Sequence, residues 1–164
     1  CFIGERPFPE FVGSYLSGVE GNIINENDDV IGIHQGLVFY TLGQRQGLGI
    51  GGVKGSPDLP WYVAKKNLKT NELLCVQGND HPLLFSRELS TKNLFKLEDS
   101  LPTSFEGTAK VRYRQEDQGC EIYVEDNALN IKFHKPQRSV TPGQSVVIYK
   151  NDKCLGGGEI CTIN

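Results

Sequence analysis

The thiol of Cys1 is the side chain in this sequence best suited to nucleophilic chemistry. It opens the segment CFIGERPFPEF, in which Arg6 lies nearby and Pro7 and Pro9 favour the start of a short helix. A helix N-terminus or a neighbouring guanidinium favours the thiolate, which is the reactive form of cysteine. A small core residue at a strand end is the alternative, and composition alone favours that interpretation.

The remaining thiols and the imidazoles show no spacing typical of a metal site. They are widely separated and include no C-x-x-C pair: Cys75, Cys120, Cys154, Cys161, His34, His81 and His134. We therefore expect no zinc site and no disulfide framework, but buried or free thiols in a reducing cytosol. Surface or hydrogen-bonded histidines are favoured over metal ligands.

The run Lys110-Val111-Arg112-Tyr113-Arg114 has the composition of a nucleic-acid contact. If it forms a strand, alternation places the three cations on one face, in a row about 13–14 Å long. Such a row could follow a phosphate backbone, and the adjacent tyrosine could stack on a base. The solvated face of a barrel strand explains the same pattern equally well.

The stretch from His34 to Gly52 carries six glycines around a Gln44-Arg45-Gln46 run. It formally contains G-x-G-x-x-G, but Val-Lys-Gly-Ser-Pro follows and cannot open the helix that a dinucleotide site requires. No phosphate loop with Lys-Ser/Thr occurs in the sequence either. We therefore expect a tightly turning connection that binds no nucleotide.

Charge and hydropathy limit the possible classes of protein but do not identify its binding partner. The formal net charge is −3, and no apolar run reaches the roughly 18–20 residues that span a bilayer. Residues 85–164 carry as many basic as acidic side chains, so local clusters matter more than the total. With no secretory signal pattern at residue 1, we expect a cytoplasmic protein without membrane attachment.

Three segments are expected along the 164 residues. Residues 1–20 form a segment with the cysteine and a short helix. Residues 21–83 form a small β-rich domain with hairpins over Gly21–His34 and over Trp61–Val76. Residues 84–164 carry strand-like runs at about ten-residue spacing, typical of a small antiparallel barrel or sandwich.

Several long motifs together resemble one family, the bacterial tRNA-specific 2-thiouridylases. The matching stretches recur in that family's order over essentially the whole chain: CFIGERPFPEF, GIHQGLVFYTLGQRQGLGIGG, PWYVAKK, VRYRQ, VTPGQSVVIY and CLGGGEI. The resemblance implies a mainly β fold, with a central β-rich domain followed by an antiparallel, translation-factor-type β-barrel and preceded by a short N-terminal helix.

The same resemblance implies a sulfurtransferase that is incomplete in this chain. Family members carry an N-terminal ATP-pyrophosphatase domain, which binds ATP, with Mg²⁺ expected beside it, and supplies a second cysteine. Cys1 matches the cysteine that receives a persulfide from a sulfur-relay donor protein and passes the sulfur to C2 of the activated wobble uridine of tRNA. A disulfide with the second cysteine then releases the product. The chain alone is expected to be inactive and to hold no cofactor.

The resemblance also assigns binding residues. Arg112, Tyr113 and Gln144 match positions that contact tRNA, whereas Gln44 and Arg45 either contact tRNA or shape the site. Strict strand alternation would separate Arg112 from Tyr113, and a strand end or bulge before residue 115 would reconcile them. A β-barrel module that binds RNA without chemistry, and a thiol-transfer protein that acts without RNA, remain the alternatives.

Overall fold

The computed structural model describes residues 18–52 and 58–164, so Cys1 and the predicted N-terminal helix lie outside the described residues. The described part is almost entirely β and contains ten strands and two short 3-10 turns, Leu37–Phe39 and Pro82–Leu84. The strands are β1 Gly21–Ile24, β2 Val30–His34, β3 Trp61–Asn67, β4 Glu72–Gln77, β5 Phe85–Lys96, β6 Ser104–Lys110, β7 Gln118–Glu125, β8 Ala128–Arg138, β9 Ser145–Lys150 and β10 Lys153–Ile163. The chain divides into two compact units between Leu84 and Phe85.

The first unit contains a four-stranded mixed sheet in the order β2-β1-β4-β3. Both predicted hairpins are confirmed, because β1 pairs with β2 and β3 pairs with β4 in antiparallel register. The central pair, β1 and β4, is parallel, with Ile23 opposite Leu73. The core of this unit consists of buried apolar side chains from the sheet and from the glycine-rich stretch: Ile23, Leu37, Tyr40, Leu48, Val63, Leu73 and Cys75.

The second unit is a closed six-stranded antiparallel barrel in the order β10-β5-β8-β7-β6-β9, as expected. Strand β8 illustrates how the sequence closes it, because Leu129, Ile131 and Phe133 alternate inward and are at most 2% exposed. Each such side chain contributes about 1.5–3 kcal/mol by leaving water. The predicted barrel core therefore rests on a period-two apolar pattern.

The predicted strand over Lys110–Arg114 is wrong beyond its first residue. Strand β6 ends at Lys110, and the chain then bends and turns. The N–H of buried Val111 donates to the Gln115 side-chain oxygen at 2.9 Å instead of to a neighbouring strand, and the N–H of Gln115 donates to the Arg112 carbonyl at 3.1 Å. The row of three cations on one face therefore does not form, whereas the alternative of a strand end before residue 115 is confirmed.

Candidate nucleic-acid interface

Two turns of the barrel meet around one open groove. The turn after β6 and the turn before β9 lie side by side because β6 and β9 pair at this end, with Lys110 opposite Val147. We call this the barrel groove; its volume is about 730 Å³, and its lining residues are Lys110, Val111, Arg112, Tyr113, Gln144, Ser145, Val147 and Tyr149. The fold thus brings Gln144 into the same groove as Arg112 and Tyr113, which precede it by 32 and 31 residues in the sequence.

Tyr113 presents its ring to solvent at the edge of the barrel groove. The residue is 95% exposed, the highest value among the exposed large apolar residues of the described chain. An exposed aromatic ring held on a short turn is a ready surface for base stacking, and every base offers it a π-face. Its position on a turn also removes the conflict with Arg112 that strand alternation posed.

The exposed side chain of Arg112 is anchored at one point. Its guanidinium donates a hydrogen bond to the Ser139 carbonyl at 3.3 Å, and the hydroxyl of Thr141 donates to the same oxygen at 3.1 Å. This shared acceptor ties the Arg112 turn to the segment that leads into β9. A guanidinium has five N–H donors, so one anchored donor leaves others for a phosphate at the groove.

Gln144 is held by its backbone and leaves its side chain exposed. The N–H of Gln144 donates to the Thr141 carbonyl at 3.2 Å, while its own carbonyl accepts from Ile160 in β10 at 2.7 Å. Gly143, with φ of +86°, supplies the left-handed residue that this turn requires. The amide of Gln144 can therefore both donate to and accept from a nucleotide.

A partly buried chain of glutamine amides supports the Arg112 turn. Gln115 accepts from the Val111 N–H and donates to the Gln137 oxygen at 2.7 Å. Gln137, only 5% exposed, donates in turn to the Gln118 side chain at 3.1 Å and to the Lys135 carbonyl at 2.8 Å. Buried amides with satisfied hydrogen bonds rigidify their surroundings, so this network fixes the turn on β7 and β8.

Lys110, the last residue of the strand before this turn, has a carboxylate partner. The Lys110 ammonium lies 3.1 Å from a carboxylate oxygen of Asp117 and 5.5 Å from the centre of the Tyr149 ring. Sequence reasoning placed Lys110 in a row of cations and did not single out Tyr149. The KVRYR string marked the lysine, whereas the tyrosine joins the groove only through the β6–β9 pairing.

The glycine-rich stretch lines a second groove, which lies within the first unit. Arg45 is exposed there, beside Trp61 and Gln77 and four of the glycines. The Gln44 side chain serves its own loop, accepting from the Thr41 N–H and donating to the Gln46 carbonyl, both at 2.9 Å. Of the two residues, Gln44 shapes the loop and Arg45 faces the groove.

His34, at the start of this stretch, has a structural role. It is fully buried, accepts the Gly36 N–H on Nδ1 at 3.0 Å, and donates from Nε2 to the Asn71 carbonyl at 3.0 Å. The residue therefore joins β2 to the β3–β4 turn, which agrees with the expectation of a hydrogen-bonded histidine.

Two of the four described cysteines are closed to solvent. Cys75 and Cys120 are buried, and burial raises the pKa of each thiol to about 12. Cys154 is half-buried and Cys161 exposed, and all four are free thiols. Within residues 18–52 and 58–164 no group of three histidine, cysteine or acidic side chains could hold a metal ion, and no helix there is long and apolar enough to cross a membrane.

Each of the two units matches a different known domain family. Residues 9–77 match the family described as tRNA methyl transferase PRC-barrel domain. Residues 86–160 match the family described as aminomethyltransferase β-barrel domain. The chain is thus a protein of the class that joins a PRC-barrel domain to a β-barrel domain of the aminomethyltransferase type.

The curated relatives that the chain matches are tRNA-specific 2-thiouridylases. The chain is 55% identical over 162 residues to the tRNA-specific 2-thiouridylase MnmA of Francisella tularensis subsp. tularensis strain WY96-3418. It is 54% identical over the same length to that of subsp. novicida strain U112. Each alignment covers 98% of this chain and 45% of the relative, so the chain spans less than half the length of these relatives. Over this matched part the chain is homologous to tRNA-specific 2-thiouridylases, the family that its motifs resemble.

Proposed function

We propose that this chain is the part of a tRNA 2-thiouridylase that binds tRNA and carries the sulfur to be transferred. In this proposal the barrel groove contacts tRNA through Arg112, Tyr113 and Gln144, and Cys1 bears the persulfide. The remaining length of the protein supplies an ATP-pyrophosphatase domain, where ATP with Mg²⁺ binds. The protein works in the cytoplasm, a sulfur-relay protein loads Cys1, and the chain by itself does not turn over.

The observation that carries the tRNA-binding proposal is the convergence in the barrel groove. A guanidinium, an exposed aromatic ring and an amide line the same groove on two adjacent turns. These groups complement a phosphate, a base face and a base or sugar edge respectively, the three kinds of contact by which unpaired RNA is recognised. The family's named activity toward tRNA, seen in the relatives, supports the same assignment.

In the chemistry proposed for Cys1, each sulfur transfer balances without an added oxidant or reductant. Adenylation of the uridine C2 oxygen turns that oxygen into a leaving group, and the terminal persulfide sulfur attacks C2 as AMP departs. A second cysteine then attacks the Cys1 sulfur, forms a disulfide with it and leaves the transferred sulfur on C2. The persulfide S–S bond is thereby exchanged for the protein disulfide, which a reductant must open before the next cycle.

Binding of unmodified tRNA by the chain tests the barrel-groove assignment. Arg112→Ala should weaken binding and lower the slope of log Kd against log salt by about one, because one phosphate contact is lost. Tyr113→Ala should weaken binding roughly tenfold or more, whereas Tyr113→Phe should bind nearly as wild type because the stacking face is kept.

Variants of the Lys132–Glu88 pair, which lies at a different groove of the same barrel, serve as controls. Lys132→Ala should leave the affinity for tRNA within about twofold of the wild-type value, since salt screens the interaction between a distant surface charge and the RNA. Equal weakening by Lys132→Ala and Arg112→Ala would refute the assignment, since binding would then depend on overall charge alone.

A further inference from the structure

Lys110, which lines the barrel groove, forms an ion pair with Asp117. Lys110 is the last residue of β6 and Asp117 immediately precedes β7, so the pair bridges the base of the turn that carries Arg112 and Tyr113. Their side chains remain 30% and 49% exposed respectively. An exposed pair of this kind contributes little to stability, so its partners can exchange readily.

The Lys110 ammonium is positioned along the groove as well as paired. The Tyr149 ring lies 5.5 Å from it, on the strand that pairs with β6, so the ammonium is held between an aromatic face and a carboxylate. Cation–π contact favours this location without neutralising the charge. The same groove contains Arg112 and Gln144, so an RNA strand that reaches them passes close to the lysine.

We propose that Lys110 is a second phosphate-binding residue of the barrel groove and that Asp117 occupies it in the absence of RNA. The inference rests on the proposed function, since it names a contact within the same groove. On binding, a phosphate oxygen replaces the Asp117 carboxylate at the ammonium. Asp117 thereby lowers the affinity of the groove for RNA and for other polyanions. A polyanion binds at Lys110 only if its phosphate competes successfully with the Asp117 carboxylate.

The test is a double-mutant cycle on tRNA binding by the chain, measured at several salt concentrations. Lys110→Ala should weaken binding and lower the salt slope by about one. Asp117→Asn should tighten binding about two- to fivefold, the range in which exposed ion pairs fall. In the Lys110→Ala background Asp117→Asn should have no measurable effect, because the site it blocks is gone.

The outcomes separate the inference from the function on which it rests. If Asp117→Asn tightens binding equally with and without Lys110, the carboxylate acts as a general negative charge and the inference is wrong. An unchanged salt slope in Lys110→Ala, with Arg112→Ala still impaired, refutes the inference and leaves the proposed function standing. If Arg112→Ala also binds as wild type, the groove assignment itself fails. Glu88→Gln, the matched change in the remote pair, should leave the affinity unchanged, and melting curves should show all variants folded.

Discussion

The described cysteines differ in burial, and the two buried ones have a raised pKa. Cys75 on β4 and Cys120 on β7 are completely buried in the cores of their respective units. Removing a thiolate from water is costly, so burial raises the pKa of each to about 12, and at Cys120 the Glu106 carboxylate adds to the shift. Cys161, by contrast, is exposed on β10 and its thiol contacts Ser90.

Alkylation of the folded chain at pH 8 should therefore modify Cys161 and spare Cys75 and Cys120, as mass spectrometry of the digested protein can measure. The thiols of Cys75 and Cys120 should react only after unfolding, because both access and thiolate fraction are low. Labelling of Cys75 at the rate of Cys161 in the native protein would contradict the buried placement.

The same pKa shifts predict a loss of stability in alkali. Unfolding returns the Cys75 and Cys120 pKa values from about 12 to the ordinary value of 9.0, so above pH 9 the unfolded state releases protons that the folded state retains. The free energy of unfolding should be unaffected by these two groups below pH 9 and should fall as the pH rises toward 12. Cys75→Ala should reduce the dependence, which urea titrations at pH 8 and pH 10 can compare.

At the scale of elements, local sequence patterns predict the hairpins and the barrel strands. They do not predict which strands pair when those strands lie far apart in the sequence. The β1–β2 and β3–β4 hairpins follow from alternating runs around polar turns. The parallel pairing of Ile23 with Leu73 joins segments 50 residues apart and has no local signal. The KVRYR string has strand propensity, yet the Gln115 side chain takes the Val111 N–H and ends the strand.

In the candidate site, too, some residues are predicted from the sequence and others are found only from the long-range strand pairing. Family resemblance assigns Arg112, Tyr113 and Gln144 to the site, and the β6–β9 pairing explains how they meet. Neither Gln137, which anchors the supporting network from β8, nor Tyr149 has a sequence signal that marks it for the groove. Their roles follow from barrel closure, which brings distant strands side by side.

Strand β10 provides an element-scale prediction at the CLGGGEI motif. Gly156 has φ of +144°, and a Cβ there would lie 2.1 Å from the Phe95 carbonyl oxygen on β5. Gly156→Ala should therefore lower the free energy of unfolding by roughly 1–3 kcal/mol or more, because both backbone strain and collision with the paired strand arise.

Thermal or urea unfolding measures the effect of Gly156→Ala. Gly51→Ala is the matched control, since a Cβ at that position meets nothing within 4 Å. It should change stability by no more than about 0.5 kcal/mol. Equal stability of the two variants would contradict the close β5–β10 approach.

At the scale of the whole molecule, the chain joins two β units that the family comparisons match separately. The barrel unit carries the tRNA groove of our proposal, and Cys1 is the first residue of the other unit. Chemistry on a nucleobase requires that the protein bind the RNA and position a nucleophile at the activated atom. Our proposal divides these tasks between the barrel and the cysteine segment.

The most direct test of this account is ATP-dependent sulfur transfer to tRNA by the chain joined to the ATP-pyrophosphatase domain that we propose for the longer protein. Thiolated nucleoside is measured by mass spectrometry for the wild type, Cys1→Ser and, as the matched control, Cys161→Ser. We predict that Cys1→Ser forms no detectable 2-thiouridine while still binding tRNA, and that Cys161→Ser is as active as the wild type. Sulfur transfer retained by Cys1→Ser would contradict the account.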